Sequence, residues 1–369
     1  MIELSVGVSA EAGSPFRLDA SRFNRHTFWC GQSGSGKTYA LGVILERLMM
    51  QTSLPLLIFD PNADFVSFGK PRADAPAEVA DRLRDADVRV FRPRGEAYQR
   101  LTVRFVDMDL ASRAAVLRLD PILDAEEYNV LVRMESEIGA AGVDALIERL
   151  RVAPAPGARK LLLRLENLQV LQWDVWAYGG RGVEDVVDER PDATVLDLGG
   201  FKTSDESAAA ALAVLDQLWS KREERRPILM VIDEAHNLCP QSPVSPAQQA
   251  LCERIIQIAA EGRKFGLWLL LSTQRPSKIH AQVLSQCDNL CLMKLNSRKD
   301  LAEIADFFGT VPEALLGQAP ILRKGQAILA GGFAPEPAIV QVASRFTLEG
   351  GTDVRVPPRH DGASVESLA

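Results

Sequence analysis

The stretch HTFWCGQSGSGKTYALGVIL, residues 26 to 45, constrains the fold of this chain more than any other. A short apolar run leads into a glycine-punctuated turn, and a helix-like stripe follows. Within it, Gly31, Gln32, Ser33, Gly34, Ser35, Gly36, Lys37 and Thr38 fit the pattern GxxxxGK[ST] at every position. Such a match arises by chance in roughly one chain in a hundred of this length. Glycines let backbone N–H groups converge on an anion, and the start of the next helix adds the positive end of its dipole. Lys37 reaches the β- and γ-phosphates of a nucleotide, and the Thr38 hydroxyl is placed to ligate Mg²⁺. The turn works only between a strand and a helix, so it commits the chain to an α/β fold.

The rest of the sequence agrees. Apolar runs without period-two alternation read as strands buried on both faces of a parallel sheet. They are HTFWC (26–30), LPLLIF (54–59), VRVF (88–91), ATVLDL (193–198), ILMVI (228–232), LWLLLS (267–272), NLCLM (289–293) and QAILA (326–330). Helical stripes lie between most of them, at Tyr39 to Met50 and Ser207 to Lys221 among others. Alternation of strand and helix predicts a mostly parallel sheet with helices on both faces. Residues 106–190 break the rhythm and read as a helical insertion. Residues 1–105 and 191–346 are then two parts of one core domain. The polar, Pro/Gly-rich tail at 347–369 reads as loose.

Composition excludes little. A formal net charge of −7 argues against a generally basic nucleic-acid coat but allows a local basic surface. No apolar run approaches the ~20 residues that span a bilayer, and no signal-peptide pattern opens the chain. Five cysteines, an odd number without a CxxC pair, fit neither a disulfide framework nor a zinc ribbon. Reduced core cysteines and a cytoplasmic location, with no membrane partner, are the expectation.

ILMVIDEAH (228–236) is an apolar strand ending in two carboxylates. Asp233, at the carboxyl edge of the sheet, suits Mg²⁺, and Glu234 suits polarisation of an attacking water. The quartet 233–236 also spells the box of a helicase class. It lies 196 residues beyond Lys37, too far for a compact core of that class. Gln274 ends LWLLLSTQRPS (267–277) and is either a contact to the γ-phosphate or water, or a plain polar strand end. Asp60, ending LLIFD, either serves the nucleotide or Mg²⁺ indirectly or caps a turn. Arg263 and Lys264 in EGRKFG (261–266) read from composition as a solvated basic turn.

Taken in order, NRHTFWCGQSGSGKT (24–38), LLIFDPNADF (56–65), MVIDEAHNLCP (230–240), EGRKFGLWLLLSTQRPS (261–277), VLSQCDNLCLMKLNS (283–297) and GQAIL (325–329) resemble the HerA/FtsK superfamily of ring-forming ATPases. HerA-like DNA translocases are the nearest in pattern. The resemblance implies a RecA-like core, ATP with Mg²⁺, a hexameric ring, duplex DNA in its channel and a separately encoded nuclease or other effector. It implies phosphate and Mg²⁺ binding by Lys37 and Thr38, metal and water roles for Asp233 and Glu234, and a γ-phosphate sensor in Gln274. It also makes Arg263, and secondly Arg25, candidates for an arginine acting on the neighbouring subunit's nucleotide. Family members carry a small β-barrel before the core, and only about 25 residues precede the core here.

Two functions follow. One is an ATP-driven translocase on double-stranded DNA, with the loops 239–249 and 275–282, including Arg275 and Lys278, facing the channel. The other is a nucleotide-gated scaffold that assembles a partner effector with little DNA motion.

Overall fold

Apolar runs become strands here because an unalternating run is satisfied only where both faces are covered. The computed structural model describes residues 2–95, 98–134, 143–178 and 180–351. Its strands are β1 (Glu3–Ser9), β2 (Pro15–Asp19), β3 (His26–Cys30), β4 (Leu56–Asp60), β5 (Val88–Arg92) and β6 (Gln99–Arg100). They continue with β7 (Ala193–Asp197), β8 (Ile228–Ile232), β9 (Leu267–Thr273), β10 (Cys287–Met293), β11 (Gln326–Ala330) and β12 (Ala338–Val342). Among the described residues these twelve strands form one sheet, in the order β2-β1-β12-β11-β10-β3-β9-β8-β4-β7-β5-β6. From β10 to β6 every pairing is parallel. From β10 back to β2 every pairing is antiparallel.

The helices are α1 (Lys37–Gln51), α2 (Ala77–Asp85), α3 (Leu110–Val116), α4 (Ala125–Met134), α5 (Val143–Val152), α6 (Pro156–Leu168), α7 (Val183–Glu189) and α8 (Ser204–Ser220). After them come α9 (Pro246–Glu261), α10 (Ala281–Leu284), α11 (Arg298–Phe307) and α12 (Glu313–Leu316). Successive strand side chains point to opposite faces, and this divides the core in two. Leu57, Phe59, Met230, Ile232, Leu269 and Leu271 pack with α8 and α9. Leu56, Ile58, Leu229, Val231 and Leu270 pack with Leu41, Ile44, Leu45 and Leu48 of α1. Helices therefore cover both faces. Between β6 and β7 the chain runs through α3–α7, whose Leu131, Leu161 and Leu165 join the α8 side of the core.

The structure adds elements that the apolar runs did not signal. β1, β2 and β12 are half-exposed strands, and the first 25 residues belong to the sheet rather than preceding it. Helix ends sit where caps put them. Thr203 caps α8 by accepting from the Glu206 N–H, and Ser245 caps α9 by accepting from Gln248 N–H. The cap at Ser245 turns the end of the 239–249 stretch into helix. The expected loose tail also changes. Residues 352–369 lie outside the described residues, but 343–351 form a strap across α1. Phe346 and Thr347 donate their amides to the buried Glu46 carboxylate. Arg345, 1% exposed, lies over the Phe65 ring and against Gly42, where a Cβ would sit 2.4 Å from the guanidinium. Among the described residues, no helix is long and apolar enough to cross a membrane.

Candidate functional site

The glycine turn leaves the end of β3 and enters α1, with Gly34 and Gly36 at φ 77° and 93°. Both angles lie in the left-handed region, where an L side chain is strained. The turn is tied to its surroundings: Gln32 N–H donates to Lys294 O, and the Ser35 carbonyl accepts from Gly325 N–H. Gly31 admits no side chain, since a Cβ there would be 2.8 Å from that of Met293. The first amides of α1 have no intrahelical acceptor and point at the turn.

Lys37 reaches across the edge of the sheet. Its Nζ donates to Asp233 Oδ1 at 2.8 Å and to Ser272 Oγ at 2.8 Å, and lies 3.2 Å from Glu234 Oε1. Burial works to strip its proton, but the two carboxylates outweigh burial and hold its pKa above the ordinary lysine value. Ser272 Oγ also donates to Asp233 Oδ1 at 2.7 Å. Sequence reasoning missed Ser272, whose only signal was its place two residues before Gln274.

Glu234 follows the last strand residue with φ 42°, a left-handed conformation that a non-glycine residue keeps only where its surroundings enforce it. Gln274 enforces it, donating from its side chain to Oε1 at 2.7 Å and from its backbone to Oε2 at 3.3 Å. His236 Nδ1 sits 3.3 Å from Oε2 and 3.0 Å from Thr273 Oγ1. Burial alone would raise the Glu234 pKa. The His236 hydrogen bond, the Lys37 charge and Gln274 together hold it down at about 2.

Asp60 is fully buried and spends its oxygens on the turn that follows it. Oδ1 accepts from the amides of Asn62 and Asp64, and Oδ2 from that of Phe65. This is the turn-capping alternative of the sequence reading. Burial, aided by the Asp233 charge, pushes its pKa up to about 7. Asp64 was not among the expected site residues. Burial, then the nearby charge of Asp233, raises it to about 6. Both values exceed the 3.8 of a free aspartate, so protonation favours the fold. That contribution is full below about pH 4 and is lost as pH rises through about 6 to 7. In metal-free buffer, Asp64→Asn should therefore flatten the fall of Tm between about pH 4 and 6. An unchanged slope counts against the burial of this charge.

Two expected residues lie elsewhere. Arg25 and Arg263 both point at Asp288, at 3.6 Å and 3.1 Å. All three stand where β3, β9 and β10 begin, whereas the turn, Asp233 and Gln274 stand where strands end. A five- to seven-residue strand separates the two edges by about 16–23 Å. Neither arginine touches its own chain's phosphate site.

The residues fit a magnesium nucleotide. Asp233 Oδ2 and Ser35 Oγ are buried with no hydrogen-bond partner, an acceptor suited to a hard cation or its water and a hydroxyl suited to a phosphate. Thr38 is half-buried beside them at the first turn of α1.

Comparison with known proteins agrees with this geometry. The family model described as "Helicase HerA, central domain" matches residues 4–160. A probable helicase of Methanocaldococcus jannaschii is 26% identical over 92% of this chain. The chain spans 66% of that relative's length. The DNA double-strand break repair helicase HerA of Pyrococcus furiosus is 22% identical over 90% of the chain, which spans 68% of it. Among solved structures, VirB4 of Thermoanaerobacter pseudethanolicus superposes with a TM-score of 0.62 at 16% identity, covering 92% of this chain and 96% of that one. At that identity the likeness concerns the fold, which is RecA-like.

Proposed function

We propose that this chain is a HerA-like P-loop ATPase that hydrolyses ATP to drive movement along double-stranded DNA. One observation carries the proposal: Lys37, Asp233, Glu234 and Gln274 converge at the carboxyl edge of the parallel sheet, on a phosphate-binding turn. In this reading the turn 31–38 holds the triphosphate through backbone amides, with Lys37 on the β- and γ-phosphates. Thr38 and Asp233 hold Mg²⁺, which when bound offsets phosphate charge. Glu234 orients and polarises the attacking water, and Gln274 fixes Glu234 while reading the γ-phosphate.

The position of Arg25 and Arg263 supports a ring. Cations on the edge remote from their own nucleotide serve hydrolysis only if they meet a neighbour's, which a head-to-tail assembly provides. Six subunits, and a separately encoded nuclease or other effector, rest on the family resemblance. Residues 106–190 form an inserted unit in this reading. The loops 239–249 and 275–282 contact DNA phosphates. These loops are joined: Gln241 N–H donates to Lys278 O, and His280 N–H to Cys239 O.

The test is steady-state hydrolysis with and without linear duplex. Stimulation by duplex that fades as salt rises from about 50 to 200 mM is the expected result, since phosphate contacts release counterions. Hydrolysis indifferent to duplex at every salt overturns the motor reading in favour of the nucleotide-gated scaffold.

A further inference from the structure

The loop that follows the acidic strand end is closed at its neck by two thiols. Cys239 ends the short turn after Glu234, with its amide on the Ala235 carbonyl. Cys252 sits on α9, about two turns beyond the Ser245 cap. Their Sγ atoms lie 3.1 Å apart, and both residues are buried, at 0% and 2% exposure. Residues 240–246 between them are exposed or half-buried, with Val244 at the tip 85% exposed, while Ala247 and Leu251 return to the core. The other cysteines, Cys30, Cys287 and Cys291, are buried and free.

We propose that Cys239 and Cys252 are a dithiol that closes to a disulfide by exchange with a low-molecular-weight disulfide, turning residues 240–251 into a covalent ring. The step needs the sulfurs to approach by about 1 Å, to the ~2.05 Å of an S–S bond. Cys252, 2% exposed where Cys239 is wholly buried, is the attacking group. Either sulfur can donate in the 3.1 Å contact; with Cys239 as the donor, the bond holds the Cys252 pKa below the ordinary thiol value, while the same bond and burial hold that of Cys239 up. The Cys252 thiolate attacks the reagent R–S–S–R, forming Cys252–S–S–R and releasing one thiol, RSH, once protonated. Cys239 then loses its proton and attacks the Cys252 sulfur, releasing the second RSH. Two protein thiols are oxidised and one external disulfide is reduced, so electrons and protons balance.

The consequence for DNA rests on the loop's role proposed above. Closing the ring fixes the spacing between the strand end that carries Glu234 and the helix that leads to Arg263.

The experiment uses the full chain and oxidised glutathione as the reagent. Intact mass under non-reducing, denaturing conditions should fall by about 2 Da, and titratable thiols should fall from five by about two. Dithiothreitol should reverse both. Cys239→Ser and Cys252→Ser should each lose the mass decrease, and Cys239→Ser should instead retain a glutathione adduct. An unchanged mass with five thiols overturns the proposal, as does the same 2 Da loss in either variant. Closure should also reduce the stimulation by duplex. Stimulation that closure leaves untouched overturns the loop's part. Absence of stimulation in the reduced protein as well tells against the DNA reading alone, because mass decides the dithiol.

Discussion

Glu234→Gln should lower steady-state ATP hydrolysis about 100- to 1000-fold while nucleotide binding is retained. The argument is electrostatic. With its pKa held at about 2, Glu234 is a carboxylate at every working pH. Such a group is a weak base, so its service is to orient and polarise water and to accept the proton late in the transfer. Glutamine keeps the shape and the hydrogen bond from Gln274 but accepts no proton. It leaves Lys37 paired with Asp233, so the phosphate turn keeps its geometry. Phosphate release measures the first half and calorimetric titration with ATP the second. Activity within tenfold of the parent removes Glu234 from the chemistry. Lost binding with lost activity makes it part of the scaffold of the turn instead.

Lys37→Met is expected to cost more, because it strikes binding and stability together. Three groups share the Lys37 ammonium: Asp233, Ser272 and Glu234. All are buried. Removing the cation leaves two carboxylates unpaired in a low-dielectric pocket, a change that costs about 3–5 kcal/mol when a buried pair loses one partner. Hydrolysis should fall below detection and Tm should drop by several degrees. A cycle separates the causes. If charge is responsible, Lys37→Met with Asp233→Asn should be more stable than the sum of the single losses. Strict additivity of the two variants rejects that account.

Much of this site was legible because its chemistry is local. GxxxxGK[ST] and the pair 233–234 each occupy a few neighbouring residues, and each follows an apolar run that the sheet must bury. What sequence could not show was what depends on strand order. Ser272 and Gln274 reach Lys37 and Glu234 because β9 lies between β3 and β8, a fact of topology. Asp64 enters through the turn that Asp60 caps, and no spacing rule marks it. Arg25 and Arg263 show the converse. Both are near site motifs in sequence, and the direction of β3 and β9 carries them to the far edge. Three of the antiparallel strands, β1, β2 and β12, were missed for another reason. They are half-exposed segments, and short alternating runs carry a weak signal.

The strap over α1 sets an order of events during synthesis. The phosphate turn is complete in the nascent chain by residue 38, yet the groups that seat its helix arrive some 300 residues later. Phe346 and Thr347 hold Glu46, and Arg345 fills the space at Gly42. β12, which pairs with β1, also comes from this last stretch. Contacts so distant along the chain form late. A ribosome-bound intermediate therefore carries the whole nucleotide motif without a finished seat for it. The seat of the phosphate turn is finished only once the strap and β12 have docked.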